Sequence, residues 1–493
     1  MSRRWASRSI GLLVMLWGAA FGIARAATPG VDAPPDPGPP RPVVLPPLVE
    51  RTLPNGLKVI IATRRELPVV SAVLLVRHGA EADPADRAGL AAMTATLMTK
   101  GARRGNKAVD ATGIARQAEA LGATLDSGSG WHQSTLAMTV TTPRLREALA
   151  LIADVAQRPT LADDELQRAR AQALDGLRVA LAQPGSIAGM VARRAYWGDS
   201  AYGASPTPQS MQRLTRADVQ AFHRHWWRPA DAVLVLAGDV DETAGIALAR
   251  GSVGRWRAGP VPAAPAAQSA PHPSPAPLVV VDMPGSGQSG VVVCAPYAAV
   301  RDGDRRIGQV AATVLGGGYS ARLNQEVRIK RGLSYGASGG GESQPEGGVF
   351  TARAQTQNET GTQVLQLLRD ELLRLGTEPP AADELAARQA TLVGSFARQL
   401  ETTDSLAGLV VRQIALGLPL ADLQRYVDEV MAVTPEQVRD FARAHFQPDA
   451  LRAVLVIDRK VAGDAVKAID AKALTLSLSE LDLERPGLVK AKR

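Results

Sequence analysis

Residues 69–76 are apolar at nearly every position, as in a strand buried on both faces. Ahead of it, segments 50–53 and 57–62 flank Pro54-Asn55-Gly56, a turn signal, and predict a hairpin. The period then lengthens. Leu90, Met93, Leu97 and Met98 recur at helical spacing, so a helix is expected over 86–100, ended by Gly101. A second helix is expected over 109–121, strands over 122–130 and 133–141, and helices over 144–156 and 162–182. Acidic residues Asp163, Asp164 and Glu165 open the last of these, where the helix dipole favours negative charge. A further helix opens at Leu214 and is broken by Pro229, and 232–238 reads as a strand.

The pattern then repeats. Thr215, Val219, Phe222, Trp227, Pro229 and Val235 are matched in class by Thr434, Val438, Phe441, Phe446, Pro448 and Val454, at one offset (434 − 215 = 219). Gly89 and Gly308 keep it too. A constant offset over residues of one class indicates an internal duplication, in units too large for a solenoid. The expected fold is α+β: two homologous domains, each a mainly antiparallel sheet with helices packed on one face. The domains are expected at 49–257 and 278–493, joined by a Pro/Ala-rich linker at 258–277.

The N-terminus carries an address. Arg3, Arg4 and Arg8 precede an apolar stretch over 10–23, and Ala24-Arg25-Ala26 fits a small-x-small cleavage site. Residues 1–26 are therefore expected to be a signal peptide, with export to the periplasm and no stable membrane insertion after cleavage. Residues 27–48 are Pro-rich and expected to form an extended tether. The sole cysteine, Cys294, lies in an apolar run and reads as a small core residue, so no intramolecular disulfide is possible. Aromatic residues make up only 4%, so the cores must be aliphatic. The net charge of +8 is spread along the chain without a basic block interleaved with aromatics, which argues against nucleic-acid binding.

The most informative stretch is 323–335. Leu323, Val327 and the Arg331 stem follow helical spacing, and Lys330 and Arg331 suit a last turn. Gly332 is a natural residue just past a helix end, and 333–336 reads as entry to a strand. Arg328 and Tyr335 are then able to converge, offering a charged fork and a phenol as donors. Gln325-x-x-Arg328 with Arg331-Gly332-Leu333-Ser334-Tyr335, behind Leu315-Gly316-Gly317-Gly318-Tyr319-Ser320-Ala321-Arg322-Leu323, resembles the C-terminal half of the insulinase/pitrilysin family of zinc metallopeptidases. The resemblance implies two homologous halves facing across a cleft. It also implies that Arg328 and Tyr335 contact a substrate carbonyl. Gly336, Gly339 and Gly340 would let a peptide backbone approach closely.

The zinc motif of that family, His-x-x-Glu-His, is missing. Its flanks match Gly89-Leu90-Ala91 and Lys100-Gly101, but Ala92 and Thr96 stand at the histidine positions and Ala95 at the glutamate. The third-ligand position falls near Gly176, with Asp175 beside it. None supplies an imidazole, so no zinc is expected in this chain. His223 and His225 are the only close histidine pair and would face different sides of a helix, while His78 reads as a loop residue. The resemblance implies a chain inactive alone: the non-zinc subunit of a heterodimeric metallopeptidase, with a zinc-bearing partner and a peptide substrate. The alternative is a catalytically inactive peptide-binding or scaffold protein of the same fold.

Overall fold

The computed structural model describes residues 43–259, 271–462, 465 and 472–491. The segment expected to be a signal peptide, most of the tether and linker residues 260–270 lie outside the described residues.

Fourteen strands carry the described fold: β1 (Leu48–Thr52), β2 (Lys58–Thr63), β3 (Val69–Val76), β4 (Gly101–Arg104), β5 (Lys107–Asp110), β6 (Asp126–Ser129), β7 (Ser134–Thr141), β8 (Ala232–Gly238), β9 (Leu278–Asp282), β10 (Ser289–Tyr297), β11 (Ala337–Gln344), β12 (Gly347–Thr356), β13 (Arg452–Ile457) and β14 (Leu474–Ser477). They build two six-stranded sheets, ordered β1-β2-β8-β3-β7-β6 and β11-β12-β10-β13-β9-β14, and a small β4-β5 hairpin. The apolar strand β3 is central, paired antiparallel to β7 from Val69↔Thr141 to Val76↔Ser134 and to β8 on its other side. Its near-continuous hydrophobicity follows from that position, with both faces covered.

The two sheets repeat one plan. Five strands keep the same order, β2-β8-β3-β7-β6 against β9-β13-β10-β12-β11. In both, the pair at one end is parallel, β2 with β8 and β9 with β13. The sixth strand differs. The first sheet is extended by the antiparallel hairpin strand β1, and the second by β14, which arrives from the far C-terminus and runs parallel to β9. Helices over 216–226 and 435–445 hold equivalent places, each opened by a threonine capping box, Thr215 with Asp218 and Thr434 with Gln437.

A helix layer packs on one face of each sheet, as expected. The opposite face is closed by a single helix lent from the other half. Pro184–Trp197 lies on β10 and β13, and Thr403–Ala415 lies on β3 and β8. The two are again 219 residues apart (403 − 184 = 219). Their entries show why the exchange fits. A side chain at Gly290 would collide with the Pro184 carbonyl, so the bare glycine admits the helix start. At the equivalent place Ser71 Oγ lies 2.8 Å from Thr403 Oγ1. Ile187, Val191 and Trp197 bury with Val279, Val292 and Val454 in one core. Cys294 joins it, and burial pushes its thiol up to about 12. Beyond the undescribed linker residues the chain returns along the lent helix, where Ser274 N–H donates to Ala195 O at 2.7 Å. Residues from Leu45 onward thus form one compact unit rather than two separable bodies.

The strand expected over 122–130 is shortened to β6, Asp126–Ser129, and two helices of the first half start late. The helix anticipated over 86–100 spans Leu90–Met98. It starts late because Gly89 takes φ +99°, and the Asp83 carboxylate accepts the Gly89 and Ala91 N–H groups at 2.7 and 2.8 Å. The helix expected from 109 begins instead at Ala111, after β4 and β5, with Asp110 capping Gly113 N–H at 2.8 Å.

Candidate functional site

Arg328 sits on a widened helical turn. The segment starts α-helical at Arg322–Asn324, then passes into a π-turn over Gln325–Ile329, with Lys330 N–H donating to Gln325 O at 2.9 Å. Such turns turn up often at functional sites because they re-aim a side chain. Gly332, at φ +63°, ends the helix, and its N–H reaches Arg328 O at 2.9 Å. The strand does not begin at 333. Tyr335 lies in the loop before β11, which starts at Ala337. That loop is held at both sides of the tyrosine: Ser334 Oγ donates to Gln355 O at 2.6 Å, and Ala337 N–H donates to Asn324 Oδ1 at 3.1 Å.

Arg328 and Tyr335 do meet, together with a third residue. The Arg328 guanidinium carbon lies 4.8 Å from the Tyr335 ring centre and 4.9 Å from that of Tyr319. Two aromatic faces therefore hold the cation by attraction to their π-clouds. No hydrogen bond or ion pair occupies the Arg328 donors or the Tyr335 hydroxyl among the described residues, and Tyr335 is 91% exposed. The geometry orients both groups while leaving their donors unspent. Tyr319 gave no signal of this role in the sequence beyond following a glycine run. Buried Asn324, also unmarked there, fixes the arrangement by donating through Nδ2 to Tyr319 O at 2.6 Å.

Glu326 anchors the same turn. It is buried, and its carboxylate takes Lys330 Nζ and Arg331 Nη1, with Arg374 4.0 Å away. Burial works to raise its pKa, but the hydrogen bonds from Lys330 and Arg331 outweigh that and hold the carboxyl below the usual range. A depressed folded-state pKa contributes stability that is present above the unfolded value and lost as pH falls through the folded one. Glu326→Gln is expected to cost about 1–2 kcal/mol at neutral pH, since both cationic partners remain half-exposed. That difference from wild type should shrink towards zero in acid. Urea titrations at neutral pH and below pH 4 check it; a difference that stays constant with pH would remove the charge argument.

The glycines expected beside the substrate divide. Gly340 opens onto free space, and Gly336 is exposed. A side chain on Gly339 would strike Phe350 and Leu323, so packing already accounts for that glycine. All three lie at or beside β11, an edge strand of the second sheet.

On the first half, the helix Leu90–Met98 packs against Asp163–Ala180. Ala92 and Thr96 are exposed and Ala95 is buried. The Thr96 hydroxyl is spent on Ala92 O at 3.0 Å, Gly176 offers no side chain, and Asp175 pairs with Arg178 at 2.9 Å. These residues do not fit a zinc ion. Among the described residues no group of three or more His, Cys, Asp or Glu side chains is arranged to hold a metal.

Comparison with known proteins decides the family. The profile of insulinase (peptidase family M16) matches residues 58–203, and that of the peptidase M16 inactive domain matches residues 213–392. This chain belongs to peptidase family M16. An M16 relative from Streptomyces coelicolor, named an uncharacterized zinc protease, is 25% identical over 80% of this chain and 86% of its own length. One from Helicobacter pylori, named a non-peptidase homolog, is 21% identical over 82% and 92%. Among solved structures, the peptidase M16 inactive domain from Pseudomonas fluorescens aligns with a TM-score of 0.76 and 26% identity, over 83% of this chain and 98% of that one. A Helicobacter pylori protease aligns equally well at 19% identity, which shows the M16 fold alone.

Three histidines of the first half pack among aromatic, acidic and backbone neighbours. His78 lies in the loop after β3, as expected, where it packs on Trp226 at 3.8 Å, between Glu81 at 3.0 Å and Asp231 at 3.4 Å. His223 bonds Ala156 O at 2.9 Å, while His225 packs edge-on against Trp226, so the pair does face different surroundings.

Proposed function

We propose that this chain is the non-zinc subunit of a periplasmic heterodimeric M16 metallopeptidase. Arg328 and Tyr335 would supply the substrate-carbonyl contacts, and the zinc would reside in a His-x-x-Glu-His partner. The observation that carries the reading is the Arg328 guanidinium stacked between Tyr319 and Tyr335 with its donors free, in a chain whose own ligand positions hold Ala92, Ala95, Thr96 and Gly176. A guanidinium held by rings alone keeps its fork for an incoming carbonyl. A purely structural arginine would be expected to satisfy those donors within the fold. The N-terminal signal pattern supports export, and the peptide would run beside β11, past Gly336 and Gly340.

Purified alone, the chain should hold no stoichiometric zinc and should leave peptides uncleaved. Elemental analysis finding one tightly held zinc per chain would overturn the proposal.

A second reading is a scaffold or peptide-holding protein that cleaves nothing. The Helicobacter pylori relative named a non-peptidase homolog favours it. The two readings part on whether Tyr335 affects turnover in a reconstituted pair.

A further inference from the structure

Three helix carboxyl ends meet on the first half: those of Leu145–Gln157, Arg216–Trp226 and Glu242–Ser252. Between them lies a cavity of about 990 Å³. Five arginines line it, Arg158, Arg224, Arg228, Arg255 and Arg257, and the only acid in the lining is Asp154. That acid is already taken, by Arg158 at 2.9 Å and Arg104 at 2.7 Å. Arg224, Arg255 and Arg257 have no carboxylate partner among the described residues. Trp227 lines the same cavity at 3% exposure, and its Nε1–H has no hydrogen-bond partner. A buried donor left unpaired costs about 1–3 kcal/mol unless something meets it.

The simplest account is that the arginines offset the three helix ends. Each end carries roughly half a negative charge. Three such ends and Asp154 leave about two to three of the five positive charges uncompensated. The duplication supplies an internal control. At the 219-residue offset, Arg158, Arg224 and Arg228 are replaced by Thr377, Arg443 and Gln447, and Trp227 by Phe446. Arg443 there is paired with Asp440 at 2.9 Å. At the two helix ends of the second half that the described residues include, after Leu375 and His445, the equivalents of Arg158, Arg228 and Trp227 therefore carry neither a cation nor an indole donor, and the fold does not require them there.

We propose that this cavity binds a multivalent phosphoryl anion, a diphosphate or a phosphate ester. Arginine forks match the oxygens of a phosphoryl group two at a time. A multivalent anion matches the surplus charge, which a single carboxylate would leave largely uncompensated. The site lies on the first half and is independent of Arg328 and Tyr335, so its failure leaves the peptidase-subunit reading untouched.

The test uses the full mature chain and inorganic pyrophosphate, followed by calorimetry and by tryptophan fluorescence, since Trp227 and Trp256 both line the cavity. Saturable one-to-one binding is expected, with a fluorescence change reduced in Trp227→Phe, where Trp256 still reports. Arg224→Gln and Arg255→Gln, both at exposed positions, should keep the circular dichroism of wild type and weaken binding about tenfold each. Vesicles of phosphatidic acid, whose headgroup is a phosphomonoester, against phosphatidylcholine controls, separate the sources. Displacement of pyrophosphate by the former assigns the group to a lipid headgroup, and lack of displacement assigns it to a soluble phosphate compound. No saturable binding, or equal binding by wild type and the arginine variants, overturns the proposal.

Discussion

Trp197→Ala is expected to destabilise the protein by about 3–5 kcal/mol, the usual cost of truncating a fully buried tryptophan, and to do so for both halves at once. Trp197 is 1% exposed, packs at 5.0 Å from Tyr202, and ends a helix that sequence places in the first half but packing places on the second sheet. Its neighbour Tyr196 donates its hydroxyl to Gly348 O at 2.7 Å, across the same boundary. The reciprocal helix Thr403–Ala415 ties the second half to β3 and β8. Each sheet thus loses one covering face if the halves part, and neither core is complete without the other. Urea unfolding followed by circular dichroism and by tryptophan fluorescence should give one coincident transition in wild type and variant, shifted to lower denaturant in the variant. Two separated transitions, with only one moved, would mean that the halves are independent domains and that the lent helices matter little. The same logic predicts that residues 278–493 expressed alone expose the valine-rich face of β10 and β13 and do not fold.

How far this was legible in the sequence depends on where the information lies. The hairpin around Gly56, the buried strand β3, the strand β8 and both Thr-capped helices follow from local pattern, and the constant offset revealed the duplication. The lent helices were not legible. An apolar stripe such as Ile187, Val191 and Ala195 says that a helix is buried, not against which sheet. The offset did carry a faint trace, since both lent helices obey it. At the site, the convergence of Arg328 with Tyr335 was legible from the motif spacing, and Gly332 ended the helix as expected. Tyr319, Asn324 and Glu326 were not singled out, because a ring stacked on a guanidinium or an amide bridging two loops leaves no periodic mark. The late strand start after Tyr335 has the same origin: Asn324 and Ser334 fix the loop through side-chain bonds that spacing does not encode.

The remaining prediction isolates chemistry from architecture. Tyr335→Phe keeps the ring that lies 4.8 Å from the Arg328 guanidinium and removes only the hydroxyl. In a reconstituted pair with a zinc-bearing partner, the phenol is expected to donate to the carbonyl oxygen as negative charge develops on it. A donor aimed at developing charge acts on the transition state rather than on substrate binding. Losing one such donor typically costs on the order of 100-fold in rate. Tyr335→Phe should therefore lower kcat by about that factor with little change in KM or in subunit association. Arg328→Ala removes a ground-state contact as well and leaves both tyrosine rings without the cation between them, so kcat and affinity should both fall. Tyr319→Leu removes one stacking face while sparing the donors of Arg328 and Tyr335. An exposed cation–π contact is worth about 0.5–1 kcal/mol, so its effect should stay within about fivefold. Size exclusion establishes association of each variant, and turnover of a fluorogenic peptide gives the rates. The graded order Arg328→Ala and Tyr335→Phe far below Tyr319→Leu is what a carbonyl-binding pair oriented by a stacking ring produces. If all three form the complex and cleave at the wild-type rate, the stack is only structural and the scaffold reading replaces the catalytic one.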